Sequence, residues 1–122
     1  MLRRHNTGWQ DGKYGVPAGH IDGDEPLTKA LIREAYEEIG IKIAPENTVF
    51  VHMTHTKSNK EYLYVYFAVE QWEGEPYNKE PDKCDRPYWA SIYKLPKNIV
   101  PIIHEAIENY QKGVQYSEDG WR

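Results

Sequence analysis

The chain has 122 residues, 15 Lys+Arg against 19 Asp+Glu, and a formal net charge of -4 at neutral pH. That length suits one domain with a real core, and 28% charged with 39% hydrophobic residues describes a globular rather than a disordered chain. The acidic balance argues against an electrostatic binder of nucleic acid polymers. The single cysteine, Cys84, excludes an internal disulfide and fits a reducing cytosol, so a cytoplasmic location is expected. No apolar run approaches the ~20 residues that span a bilayer, and no signal peptide is visible.

Met1 to His5 is a short apolar-basic start in which Arg3 and Arg4 follow Leu2 as if ending a strand. Asn6 to Gly15 is turn-rich, with Asp11-Gly12 a turn signal; Trp9 and Tyr14 either flank a planar ligand or cover the core edge. Gly19 to Ile41 then reads as a loop feeding a helix. Pro26 suits the first helical position, nothing interrupts the pattern as far as Ile39, and Gly40 suits a left-handed C-terminal cap. A helix of about 14 residues is expected. Leu27, Ala30, Leu31, Ala35 and Ile39 fall at core-facing spacing. Glu34, Glu37 and Glu38, three and four residues apart, share one patch. Like charges so placed repel by a few tenths of a kcal/mol per pair. A chain that keeps three of them together is therefore expected to hold a cation, and all-oxygen ligation suits a hard ion, Mg²⁺ or Mn²⁺. Arg33, eight residues after Glu25, can fold back to pair with it.

Beyond the helix, Ile41 and Ile43 alternate with Lys42 as a short strand. Val49, Val51 and Met53 alternate with Phe50, His52 and Thr54 in a second strand. His52 and His55 make no zinc pattern and read as ordinary strand and turn residues. Lys57 to Glu61 is a polar hairpin loop, and Tyr62 to Trp72 is expected to be the longest strand. Tyr62, Tyr64 and Tyr66 share one of its faces, either as a nucleobase platform or as the aromatic face any half-buried strand prefers. Cys84 has no adjacent histidine and is not expected to act as a nucleophile. Tyr88 to Tyr93 reads as a last strand. Asn98 sits at the natural N-cap of a helix whose stripe runs from Ile99 to Tyr110, before Gly113. Val114 to Arg122 is polar and expected to be mobile.

The loop and helix resemble the signature of the Nudix hydrolases: a glycine, five residues, a glutamate, seven residues, then Arg-Glu, an aliphatic, any residue, Glu-Glu, any residue, a glycine and an aliphatic. Here these positions are Gly19, Glu25, Arg33, Glu34, Ala35, Glu37, Glu38, Gly40 and Ile41. All are filled at the right spacing, with Ala35 a small choice for its slot. Trp72 to Glu80 (WEGEPYNKE) is similar to a stretch of the MutT-like branch. The resemblance implies an α/β fold, a Nudix-type α/β/α sandwich around a mixed sheet, with the signature helix on one side and the C-terminal helix on the other. It implies one domain over residues 1–122. It also implies that most of a first strand is lacking, which would leave an unpaired sheet edge for a second subunit to close, hence a homodimer.

The same resemblance implies a Mg²⁺-dependent hydrolase, with Mn²⁺ an alternative ion, that cuts a nucleoside diphosphate linked to a further group. A (deoxy)nucleoside triphosphate cut to the monophosphate and pyrophosphate leads. ADP-ribose or a nucleotide sugar as substrate, and a non-catalytic nucleotide-binding module, stand as alternatives; relatives of the latter kind lose a helix glutamate, and this chain keeps them all. Glu34, Glu37 and Glu38 are expected to be catalytic and metal-binding, with Glu34 the first candidate for general base. The Ala18 carbonyl and Glu80 complete the metal shell, with Asp82 and Asp85 as rivals for Glu80. Glu25 and Arg33 form a structural pair. Arg4 is placed to touch phosphate, Tyr64 to face the base and Asn98 to read a purine edge, with capping the alternative for Asn98. Gly15 stands where the oxidised-purine enzymes keep an acidic residue, which weakens that specificity.

Overall fold

A computed structural model describes residues 1–18, 23–85 and 88–121. In chain order the elements are β1 (Leu2–Arg4), β2 (Tyr14–Gly15), α1 (Leu27–Ile39), a single 3₁₀ turn (Pro45–Asn47), β3 (Thr48–Lys57), β4 (Glu61–Val69), β5 (Cys84–Asp85), α2 (Pro101–Gln111) and β6 (Tyr116–Asp119). They form two three-stranded sheets. In the first, ordered β2-β1-β5, both pairings are antiparallel, and Tyr14 adds a parallel bridge to Ile99. In the second, ordered β4-β3-β6, β3 pairs antiparallel with β4 and parallel with β6.

The helix α1 begins one residue later than the sequence suggests. Pro26 keeps φ -64° but an extended ψ of 155°, so it caps the helix instead of opening it. Leu27, expected in the core, is 41% exposed in consequence. Ala30 and Ala35 are buried. Gly40 ends the helix in the left-handed region at φ 72° and donates its N–H to the Tyr36 carbonyl. A side chain at Gly40 would also run into the Tyr77 ring.

Two apolar clusters flank the mixed sheet. Ala35, Ile41 and Ile43 pack with Ile32, Ile39 and Val69; Ile99, Val100 and Ile103 pack with Val16, Tyr66, Leu95 and Ile107. Val69 and Tyr66 lie an odd number of residues apart on β4 and so point to opposite faces. The two helices therefore cover opposite sides of the sheet, the sandwich the resemblance implies.

Several local expectations are corrected. Ile41 and Ile43 are buried, but Lys42 makes only an isolated bridge with Glu73. The longest strand is β3, at 10 residues against 9 for β4, and β4 stops at Val69 rather than Trp72. A bulge between Phe50 and His52 resets β3, leaving Val49 59% exposed and sealing His52 and Thr54 completely. Tyr88 and 89–93 form no strand; β5 precedes them. α2 starts at Pro101, a favoured first helical residue. Asn98 is accordingly not its cap: its amide donates to the Gly12 carbonyl at 3.0 Å, and its own carbonyl accepts from Tyr14 N–H. In the C-terminal stretch, β6 lies along β3 and the Trp121 indole donates to the His55 carbonyl at 3.0 Å, structure that the polar sequence does not announce. β1 is short, as expected, yet it is the central strand of its sheet.

Candidate active site

The last two turns of α1 present Arg33, Glu34, Glu37 and Glu38. Glu38 is the inward one. Its Oε2 is buried without a hydrogen-bond partner, although the carboxylate receives the Ala18 backbone N–H. Burial, then the charges of Glu34, Glu80 and Glu37, push its pKa up to about 8. The charges of Glu34, Glu80 and Glu37 thus stand near enough to Glu38 to oppose its ionisation.

Glu80 reaches this position through backbone bonds that also finish the helix. Helix ends leave carbonyls unpaired; here Lys79 N–H bonds the Glu38 carbonyl and Tyr77 N–H the Ile39 carbonyl, both at 3.0 Å. Asn78 accepts from Glu80 N–H at 2.9 Å and donates to the Cys84 carbonyl at 2.6 Å. The Glu80 carbonyl in turn accepts from Lys83 and Cys84 N–H. Burial first, then Glu38 and Glu80, raises the Cys84 thiol pKa, so this sulfur is a poorer nucleophile than a free one.

Arg33 does more than pair with Glu25. Its Nη2 lies 2.6 Å from Glu25 Oε1, and its Nη1 lies 2.9 Å from Glu34 and 3.3 Å from Glu37. One guanidinium therefore fastens the loop residue Glu25 to the helix and balances two of the three helix carboxylates. Glu37 is the outermost, its side chain 51% exposed.

The donor set is all oxygen, and the orphaned Glu38 oxygen is the kind of buried acceptor a hard cation satisfies. Among the described residues no three His, Cys, Asp or Glu side chains are gathered as a ready-made metal cage. Gly19, which opens the signature, lies with 20–22 outside the described residues. The two rivals of Glu80 are placed otherwise. Asp85 takes a two-pronged contact from Arg3 across β1 and β5, at 2.7 and 2.8 Å, and Asp82 is exposed on a turn.

The expected substrate contacts are scattered. Arg4 pairs with Cys84 across β1 and β5, and its charge lowers that thiol's pKa where Glu38 and Glu80 raise it. Its guanidinium is held by the Trp9 carbonyl at 2.7 Å and Thr7 Oγ1 at 3.0 Å, and lies over the Trp9 ring. Tyr64 shares a β4 face with Tyr66, the face that α2 covers, so it looks away from α1. Asn98 is occupied at Gly12. Tyr14 packs edge-on against Tyr88 at 4.9 Å.

The NUDIX domain family model matches residues 1–110. The chain belongs to the Nudix family. It is similar to the protein named Phosphatase NudJ of Shigella boydii serotype 4, 31% identical over 106 residues that cover 84% of this chain and 69% of the relative. The protein of the same name from Escherichia coli K12 is 30% identical over the same coverage. A crystal structure of a MutT NUDIX hydrolase from Burkholderia pseudomallei superimposes with a TM-score of 0.79 over 88% of this chain and 83% of that one, at 24% identity. The chain is thus a Nudix hydrolase, an enzyme acting on pyrophosphate bonds of nucleotide-type substrates, in a family that generally depends on divalent metal.

Proposed function

We propose that this Nudix hydrolase cuts a nucleoside diphosphate linked to a further group, with a (deoxy)nucleoside triphosphate as the leading substrate and the monophosphate plus pyrophosphate as products. One observation carries the reading: a buried Glu38 oxygen without a partner, in reach of the charges of Glu34, Glu37 and Glu80. In this reading Glu34, Glu37, Glu38, Glu80 and the Ala18 carbonyl hold Mg²⁺, with Mn²⁺ able to replace it. Held there, the ion would supply neutralisation of phosphate charge and a more acidic attacking water. Glu34 takes the water proton. The oxygen adds to the α-phosphorus, and the bond to the bridging oxygen breaks with its electron pair leaving on pyrophosphate. A cation held by Glu34 and Glu37 would compete with their contacts to Arg33. Arg4 is assigned to the substrate phosphates in the same reading. One domain over residues 1–122, a cytoplasmic location and a homodimer belong to the same reading.

The similarity to proteins named phosphatase favours a second reading, in which the same site releases orthophosphate instead of pyrophosphate. A Mg²⁺-supplemented panel of nucleoside tri- and diphosphates, followed by phosphorus NMR, separates the two. Nucleoside monophosphate with pyrophosphate is expected from triphosphates. Orthophosphate as the first product would favour the second reading, and no turnover of any nucleotide would contradict both.

A further inference from the structure

β4 is an edge strand. Among the described residues it is hydrogen-bonded to β3 alone, so the far side of a nine-residue strand presents an open row of N–H and C=O groups. Such edges are normally blunted by an internal charge, a proline or a bulge. β4 has none of these between Tyr62 and Val69, where every residue is apolar or aromatic. On the part of the α1-side face that the helix does not reach, Leu63 is 61% and Phe50 41% exposed.

We propose that β4 pairs antiparallel with β4 of a second copy, with the two-fold axis at Val65. Three observations select this occupant and this register. A two-fold antiparallel pair must be centred on a residue, because residues facing one another have to present their hydrogen-bonding groups to the same side. Val65 is the midpoint of Glu61–Val69, so this centre pairs the strand along its full length. It also sets Lys60 opposite Glu70 of the second copy, twice by symmetry. Both side chains are exposed, and neither has an ion pair among the described residues. Centring on Tyr64 would put Lys60 against Ala68, and centring on Tyr66 would put Glu70 against Tyr62; each forfeits both ion pairs. At Val65 the uncovered part of that face gains Leu63 against Phe67, an apolar pair that joins the two exposed patches into one. A strand with a positive residue before it and a negative one after it is its own antiparallel complement.

The test is sedimentation equilibrium over a range of concentrations on the parent, Lys60→Glu, Glu70→Lys and the double reversal. The parent is expected to dimerise. Each single reversal turns two attractions into two repulsions and should raise the dimer dissociation constant about five- to thirtyfold. The double reversal should restore it to within about threefold of the parent. Hydrogen exchange should show β4 amides slowing as concentration rises. A parent that stays monomeric at every concentration overturns the proposal. So does a dimer indifferent to the single reversals, or one that the double reversal fails to rescue. The proposal does not depend on the substrate reading, because none of these measurements involves turnover.

Discussion

The two sides of the mixed sheet are built on different terms. On the α2 side the buried polar groups are largely matched: His52 sits against the Val114 carbonyl at 2.8 Å and Ser117 Oγ at 2.9 Å, and Thr54 shares the same Ser117 hydroxyl. The orphan there, the Tyr66 hydroxyl, stays neutral because burial pushes its pKa further up. On the α1 side charge is gathered and left incomplete. One arginine serves three carboxylates, and a fourth, Glu38, keeps a buried oxygen with nothing to bond. A matched network holds the fold together, whereas the unmatched carboxylates are where the proposed cation would sit.

The sharpest way to break this contrast is Glu38→Gln, which keeps shape and removes the inward charge. Turnover should fall by about three orders of magnitude or more, with a far-ultraviolet spectrum like the parent's. Activity within a few-fold of the parent would return Glu38 to an ordinary structural role. Gly40→Ala tests the hinge between α1 and the Glu80 loop. Left-handed strain and the Tyr77 collision together should cost roughly 2–4 kcal/mol in urea unfolding; a loss under 1 kcal/mol would mean Tyr77 swings aside freely.

The pH dependence of metal-free protein sharpens the same comparison. Glu38 has a folded pKa raised to about 8 from 4.5. The protonated form is the one the fold favours, so its contribution is complete below about pH 4.5 and is lost as pH climbs through 8. With allowance for solvent screening, unfolding free energy should decline by about 2 kcal/mol between pH 5 and 9. Glu38→Gln should flatten that decline, and an equal slope in both proteins would assign it elsewhere. On the α2 side, Ser117→Ala should cost about 1 kcal/mol, because it removes a hydroxyl shared by His52 and Thr54. Unfolding at several pH values reads both numbers, and an unchanged midpoint would show the hydroxyl to be idle.

Much of this was legible in the chain, and the failures have physical causes. The spacing of Arg33, Glu34, Glu37 and Glu38 is local, and so is the Gly40 cap, so a helical repeat suffices to place them. The Arg33–Glu25 contact follows from one fold-back of a short loop. What local spacing cannot show is which cross-chain partner a residue finds. Asp85 is taken by Arg3 from the other end of the chain, and Asn98 is drawn to Gly12 instead of capping α2. β6 was missed because its polar residues carry no strand pattern; what seats it is the edge of β3 and the buried His52. The bulge between Phe50 and His52 interrupts the simple alternation of β3, and a register shift of this kind leaves no mark in the residue pattern. Arg33 reaching Glu34 and Glu37 as well was hidden by the fit of its pairing with Glu25.

The central claim is that the α1 carboxylates, with Glu80, form a grip for a hard divalent cation. Titration of metal-stripped protein with Mn²⁺, read by the loss of the free-ion electron paramagnetic resonance signal, tests it most directly. Saturable binding that Mg²⁺ displaces, and that Glu38→Gln weakens at least about tenfold, is the expected result. Parent protein that leaves the free-ion signal untouched, or binding that is identical in Glu38→Gln, would contradict it.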